Sequence, residues 1–182
     1  MRPLLAFSRV VDSINAVFGK AGDWMTLFAV AISAGNAFVR YGVSYSSNAW
    51  LEVQWYLFAG MVMLGAAYTL NRNEHVRVDI LFGSLSERYR LWVDIIGILV
   101  FLLPAMALLA WMTWPFFLDS FLRGETSQNA GGLLRWPAKI VLPLGFLLLF
   151  LQGLSELIKR LAILFGERPE GEAVLAYERP LQ

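Results

Sequence analysis

Cysteine is absent from the 182 residues and histidine occurs once, at His75. The first absence excludes disulfides, thiolate nucleophiles and iron–sulfur ligation. The second excludes bis-histidine haem ligation and any multi-histidine zinc site within the chain, so no cofactor is expected. Charge is scarce as well: 16% of residues are charged and the net charge is +1, which leaves no basic face for nucleic acid. Signal-peptide grammar is also missing, because Arg2 and Arg9 are followed by Asp12 before any long apolar run. Insertion is therefore expected to rely on the first membrane helix. What the chain has in excess is apolar surface, 58% of residues with a mean hydropathy of +0.57. That composition predicts an all-α integral membrane protein with one membrane domain.

Four uncharged stretches carry the spans. Trp24 to Val39 has 16 residues, Val53 to Asn71 has 19, Ile95 to Leu118 has 24 and Ile140 to Ser155 has 16. At 1.5 Å per residue the second covers about 28 Å, close to the roughly 30 Å of a hydrocarbon core. With snorkelling ends, four transmembrane helices are expected over about 22–42, 52–71, 90–115 and 138–158, inside a membrane domain of 21–165. Pro104 lies near the middle of the third and predicts a kink. Ser84, Leu85, Ser86 and Glu87 form a capping-box pattern at its start, Asn48 can cap the second helix, and Pro137 suits the first position of the fourth.

Residues 1–20 are too charged to span. Leu4, Phe7, Val11, Ile14 and Phe18 recur on one helical face, which predicts an amphipathic helix lying in the interface, with packing on the protein's own loops as the alternative. The segment 166–182 is charged and proline-containing, and its composition predicts disorder. Lys and Arg divide unevenly between the two sides. Eleven fall in the N-terminal segment, the connection after the second span and the tail, against four at Arg40, Arg123, Arg135 and Lys139. Both termini are therefore expected in the cytoplasm.

Little catalytic chemistry can be assembled. His75 with Glu74 and Asp79 forms an acid–base trio on paper, but it sits in a surface connection with no nucleophile beside it. Contact with lipid headgroups or a neighbouring protein is the reading preferred for it. Glu52 falls in the first turn of the second helix, where the helix dipole favours a carboxylate. Ala29, Ser33 and Ala37 form a small-residue stripe that lets another membrane helix approach, and Asn36 beside them suits an interhelical hydrogen bond. The centres of the spans hold no ionisable residue, unlike a chain that conducts ions through its own core.

Glu52 opening the second helix, Leu64-Gly65-Ala66-Ala67 within it, His75-Val76-Arg77-Val78-Asp79 after it, and Arg135-Trp136-Pro137 with Lys139 at the fourth span make a recognisable series. This series resembles the small membrane subunit (DctQ-like small permease) of tripartite ATP-independent periplasmic (TRAP) transporters, over roughly residues 22 to 160. The chain departs from the paired acids often found in that family, having Val53 after Glu52. The resemblance implies a multi-pass protein of the bacterial inner membrane, not an enzyme. Its implied partners are membrane lipid, a large multi-span permease subunit and a periplasmic solute-binding protein. The implied role is to scaffold the large subunit during ion-gradient-driven uptake of an organic acid or related solute. The competing reading is an independent four-helix membrane protein, either a small exporter or an assembly factor.

Overall fold

The computed structural model describes residues 2–45, 47–75 and 85–166. Four helices long and apolar enough to cross a membrane account for nearly all of it: α1 (Arg2–Val43), α2 (Asn48–Asn71), α3 (Glu87–Leu122) and α4 (Trp136–Leu164). A helix long and apolar enough to cross a membrane lies over each of the four expected spans and runs beyond it. The long overhangs arise because membrane thickness limits apolar length, not helix length. An even number of antiparallel passes places both ends of the described chain at one end of the bundle, called here the terminal end. The connection between α3 and α4 lies at the other, the loop end.

α1 is continuous, so the segment expected in the interface is the first half of the same 42-residue helix that carries the first apolar run. Its buried residues are Ser8, Val11, Asn15, Gly19 and Gly22, spaced three and four apart, whereas Leu4, Phe7 and Ile14 are exposed. The inward side thus carries the polar Ser8 and Asn15 beside Val11, with Phe18 packed on the core. Leu4, Phe7 and Ile14 face outward, where lipid can cover them. Gly22 permits the close approach of α1 to α2. A Cβ there would lie 3.6 Å from the Met61 carbonyl oxygen and 4.0 Å from Gly65 Cα. Gly145 does the same between α4 and α2, where a Cβ would stand 2.7 Å from the Met63 carbonyl oxygen. Membrane helices gain no hydrophobic drive from meeting in lipid, so backbone proximity of this kind holds them together by packing. Leu64, Ala67 and Leu148 form the centre, covered by Phe18, Met25, Val141 and Leu149.

The kink expected at Pro104 takes another form. Gly97–Leu102 is a π-helical turn, and the Leu103 amide donates to the Ile98 carbonyl five residues back. A wider turn accommodates the proline ring and its missing N–H without breaking the helix. Three local details differ from expectation. Ser47 holds the N-cap position of α2 without a side-chain bond, while Asn48 Nδ2 donates to the Ala130 carbonyl at 3.2 Å. α3 starts at Glu87 with Ser86 before it and no side-chain cap bond; Ser84 of the proposed capping box lies outside the described residues. α4 begins at Trp136, one residue before Pro137.

Candidate functional site

Glu52 is 3% exposed although it sits one turn from the start of α2. Its carboxylate accepts hydrogen bonds from Ser127 Oγ, from Asn129 Nδ2 at 2.8 Å and from the Leu133 amide at 2.8 Å. The helix-dipole argument is therefore incomplete, because the residue anchors the loop between α3 and α4. That loop is a small hairpin. Ser127 N donates to the Leu133 carbonyl at 2.8 Å, Arg135 N to the Glu125 carbonyl at 2.8 Å, and Thr126 bridges Leu134. Gly131 turns it with φ +70°, and a Cβ on Gly132 would meet Ser127 Cβ at 2.5 Å. The Tyr56 hydroxyl donates to the Leu134 carbonyl at 3.0 Å.

Arg135, Trp136, Pro137 and Lys139 surround the foot of the hairpin. Lys139 Nζ pairs with Glu125 and stands 4.0 Å from the centre of the Phe116 ring. Arg135 Nη1 lies 3.5 Å from the same carboxylate, and the Trp136 ring meets Phe121 edge-on at 5.4 Å. The hydrogen bond from Lys139 holds the Glu125 carboxyl below its ordinary range, with Arg135 adding to the effect. The structure thus brings Glu52, Arg135 and Lys139 together. Gly65 is half-buried; its Cα lies 4.0 Å from where a Gly22 Cβ would be, but a Cβ on Gly65 itself would meet nothing within 4 Å. His75 is exposed at the edge of the connection after α2, while Arg77 and Asp79 lie outside the described residues.

The terminal end carries a second polar assembly that the sequence reading missed. Glu156 is 2% exposed and lies between Lys159 Nζ, at 2.8 Å, and the Arg160 guanidinium. Lys159 also pairs with Asp12 of α1 at 2.8 Å, and Arg160 with Asp94 of α3 at 3.0 Å. Gln152 Nε2 donates to Asp12 at 2.9 Å, Asn15 Nδ2 donates to Gln152 Oε1 at 2.6 Å, and the Ser8 and Ser155 hydroxyls are 2.6 Å apart. Three acids and two bases from three helices are interlocked here. The available signal was spacing. Gln152, Ser155, Glu156, Lys159 and Arg160 share one face of α4, and Ser8, Asp12 and Asn15 share one face of α1. In the topology count Lys159 and Arg160 figure only as charges of the C-terminal tail.

On α1 beyond Met25, contact with the rest of the chain fades. Ala29 and Asn36 are half-buried, whereas Ser33 and Ala37 are exposed. A Cβ on Gly35 would meet nothing within 4 Å. Among the described residues no group of three or more acidic or histidine side chains is disposed to hold a metal.

An assembly of four membrane-length helices, fastened by buried polar contacts at both ends, defines a polytopic membrane protein. The profile of the DctQ component of tripartite ATP-independent periplasmic transporters matches residues 24–162. The chain belongs to that family, which is a transporter component and not an enzyme family. The family works in tripartite systems with a large permease and a solute-binding protein. Neither a curated protein nor a solved structure matches the chain significantly.

Proposed function

We propose that the chain is a static partner of the large permease subunit in a bacterial inner membrane. In this reading it scaffolds binding-protein-dependent, ion-gradient-driven uptake of an organic acid or related solute. The observation that carries the reading is the distribution of charge. Among the described residues the buried ionisable groups pair with one another or with the loop at the two ends, and none is buried between them. Side chains engaged in this way resist motion and offer no path for an ion. Both termini lie in the cytoplasm in this reading, which places the Glu52 hairpin in the periplasm. The large subunit packs on the outer half of α1, where Ala29, Ser33, Asn36 and Ala37 meet little of this chain.

Reconstitution into liposomes with the large subunit and the binding protein tests the role. Uptake should require all three, and uptake by this chain alone, or undiminished uptake without it, sinks the scaffold reading. Ser33→Leu and Ala37→Leu should weaken association with the large subunit, and uptake should fall in proportion to the complex lost. Reporter fusions at Asn73 and at the C-terminus should read cytoplasm and a fusion at Gly124 periplasm.

A further inference from the structure

A cleft of about 250 Å³ opens beside the hairpin, between the starts of α2 and α4, with Glu52, Trp55, Asn129, Arg135, Ala138 and Lys139 on its walls. Its charges are unequal in reach. Glu52 is covered by three donors and turned into the hairpin, so it presents little negative charge to the opening. Lys139 is engaged by Glu125 and the Phe116 ring. Arg135 differs: its side chain is 44% exposed, and among the described residues its side chain has one hydrogen-bonding partner, Glu125, 3.5 Å from Nη1. Its Nε and Nη2 make no hydrogen bond among the described residues, and the residue lines the cleft. Trp55, 65% exposed, lines the same cleft.

We propose that this cleft binds the phosphodiester of a phospholipid headgroup from the leaflet that meets the loop end. A guanidinium with unused donors matches two phosphate oxygens in a planar fork. The cleft lies where two membrane helices begin, at the level where tryptophan, tyrosine and lysine flank a bilayer. Trp55 can therefore lie against the glycerol and upper acyl segments while its N–H stays at headgroup depth. The volume admits a phosphodiester and its neighbouring carbons, and the acyl chains run on over the exposed apolar flank of the bundle. The proposal rests on the chain crossing a membrane and not on the transporter role, so failure of the uptake assay leaves it standing.

The test uses the full-length chain, delipidated in mild detergent and titrated with phosphatidylglycerol, with inorganic phosphate as a separate arm. Native mass spectrometry counts the bound molecules. One tightly held phospholipid is expected. Arg135→Gln should weaken its retention by about tenfold or more, the loss expected for a charge-assisted pair of hydrogen bonds. Arg135→Lys should recover part of it, because the charge remains and the fork is lost. Trp55→Ala, which leaves every Arg135 contact in place, should weaken retention several-fold and guards against a loss caused by misfolding of the hairpin. Inorganic phosphate should not displace the lipid. Equal retention in Arg135→Gln and Trp55→Ala overturns the proposal, and so does displacement by inorganic phosphate, which would make the cleft a site for free anions.

Discussion

Glu52 and Glu156 are almost equally buried, yet the two ends of the bundle hold them by different means. At the loop end one carboxylate gathers neutral donors, a hydroxyl, an amide and a backbone N–H, all from a single hairpin. At the terminal end the carboxylate is one member of an ionic mesh reaching from α4 to α1 and α3. Neutral donors released from Glu52 can turn to water, because Asn129 and its neighbours lie at the surface. Cations released from Glu156 remain buried. Equal burial therefore implies unequal consequences, and the partner's charge decides which is larger.

The sharpest way to break this comparison is Glu156→Ala. It takes from Lys159 and Arg160 the anion they share but leaves Lys159 paired with Asp12 and Arg160 with Asp94. It should therefore cost about 3 kcal/mol, the low end of the range for breaking a buried pair. Unfolding of the purified protein in mild detergent, followed by circular dichroism against denaturant, measures it. A loss under about 1 kcal/mol would show that water already reaches the mesh. Glu52→Ala should cost less, about 1–3 kcal/mol, with the effect confined to the hairpin. Hydrogen exchange should quicken at the Leu133 and Ser127 amides while the centre of α2 stays protected. Quickening throughout α2 contradicts a local anchor.

The smallest effect sharpens the comparison at one carboxylate. Glu125 is depressed when folded, chiefly by the Lys139 hydrogen bond, so its contribution is complete above the ordinary carboxylate range. That contribution is lost as pH falls through the depressed folded value. Acidification from neutral should leave the protection of the Arg135 amide, its exchange relative to an unfolded amide at the same pH, unchanged until below the ordinary carboxylate range, then lower it. Lys139→Met should move that onset to higher pH. An unchanged onset in Lys139→Met removes the proposed cause.

The helices were legible because uncharged length announces a membrane span whatever surrounds it, and each expected span lies inside an observed helix. The site was legible in part. Glu52, Arg135 and Lys139 were marked separately, but nothing in their spacing states that a loop residue 75 positions later, Ser127, meets Glu52. The mesh was missed for a different reason. Gln152, Glu156 and Arg160 sit at the edge of an apolar run, where charge normally signals exit into water. Only the matching stripe at Ser8, Asp12 and Asn15, on a segment read by its apolar face, points to their burial. Reading both faces of the first helix recovers the pairing.

The wide turn at Gly97–Leu102 acts as a phase shifter for α3. Buried positions along this helix fall at Leu91, Ile95, Ile98 and Leu103, so the step across the turn is five residues where the earlier steps are four and three. The longer step keeps both halves of α3 turned toward α4. Leu103 stays on the face where it lies 3.1 Å from a Cβ built on Gly153, while Asp94 keeps its aim at Arg160. An ordinary α-helical turn, one residue shorter, would rotate one half by about 100° relative to the other. A deletion there would thus be felt in the ionic mesh at Asp94, as a loss of angular alignment rather than of any contact at the deletion itself.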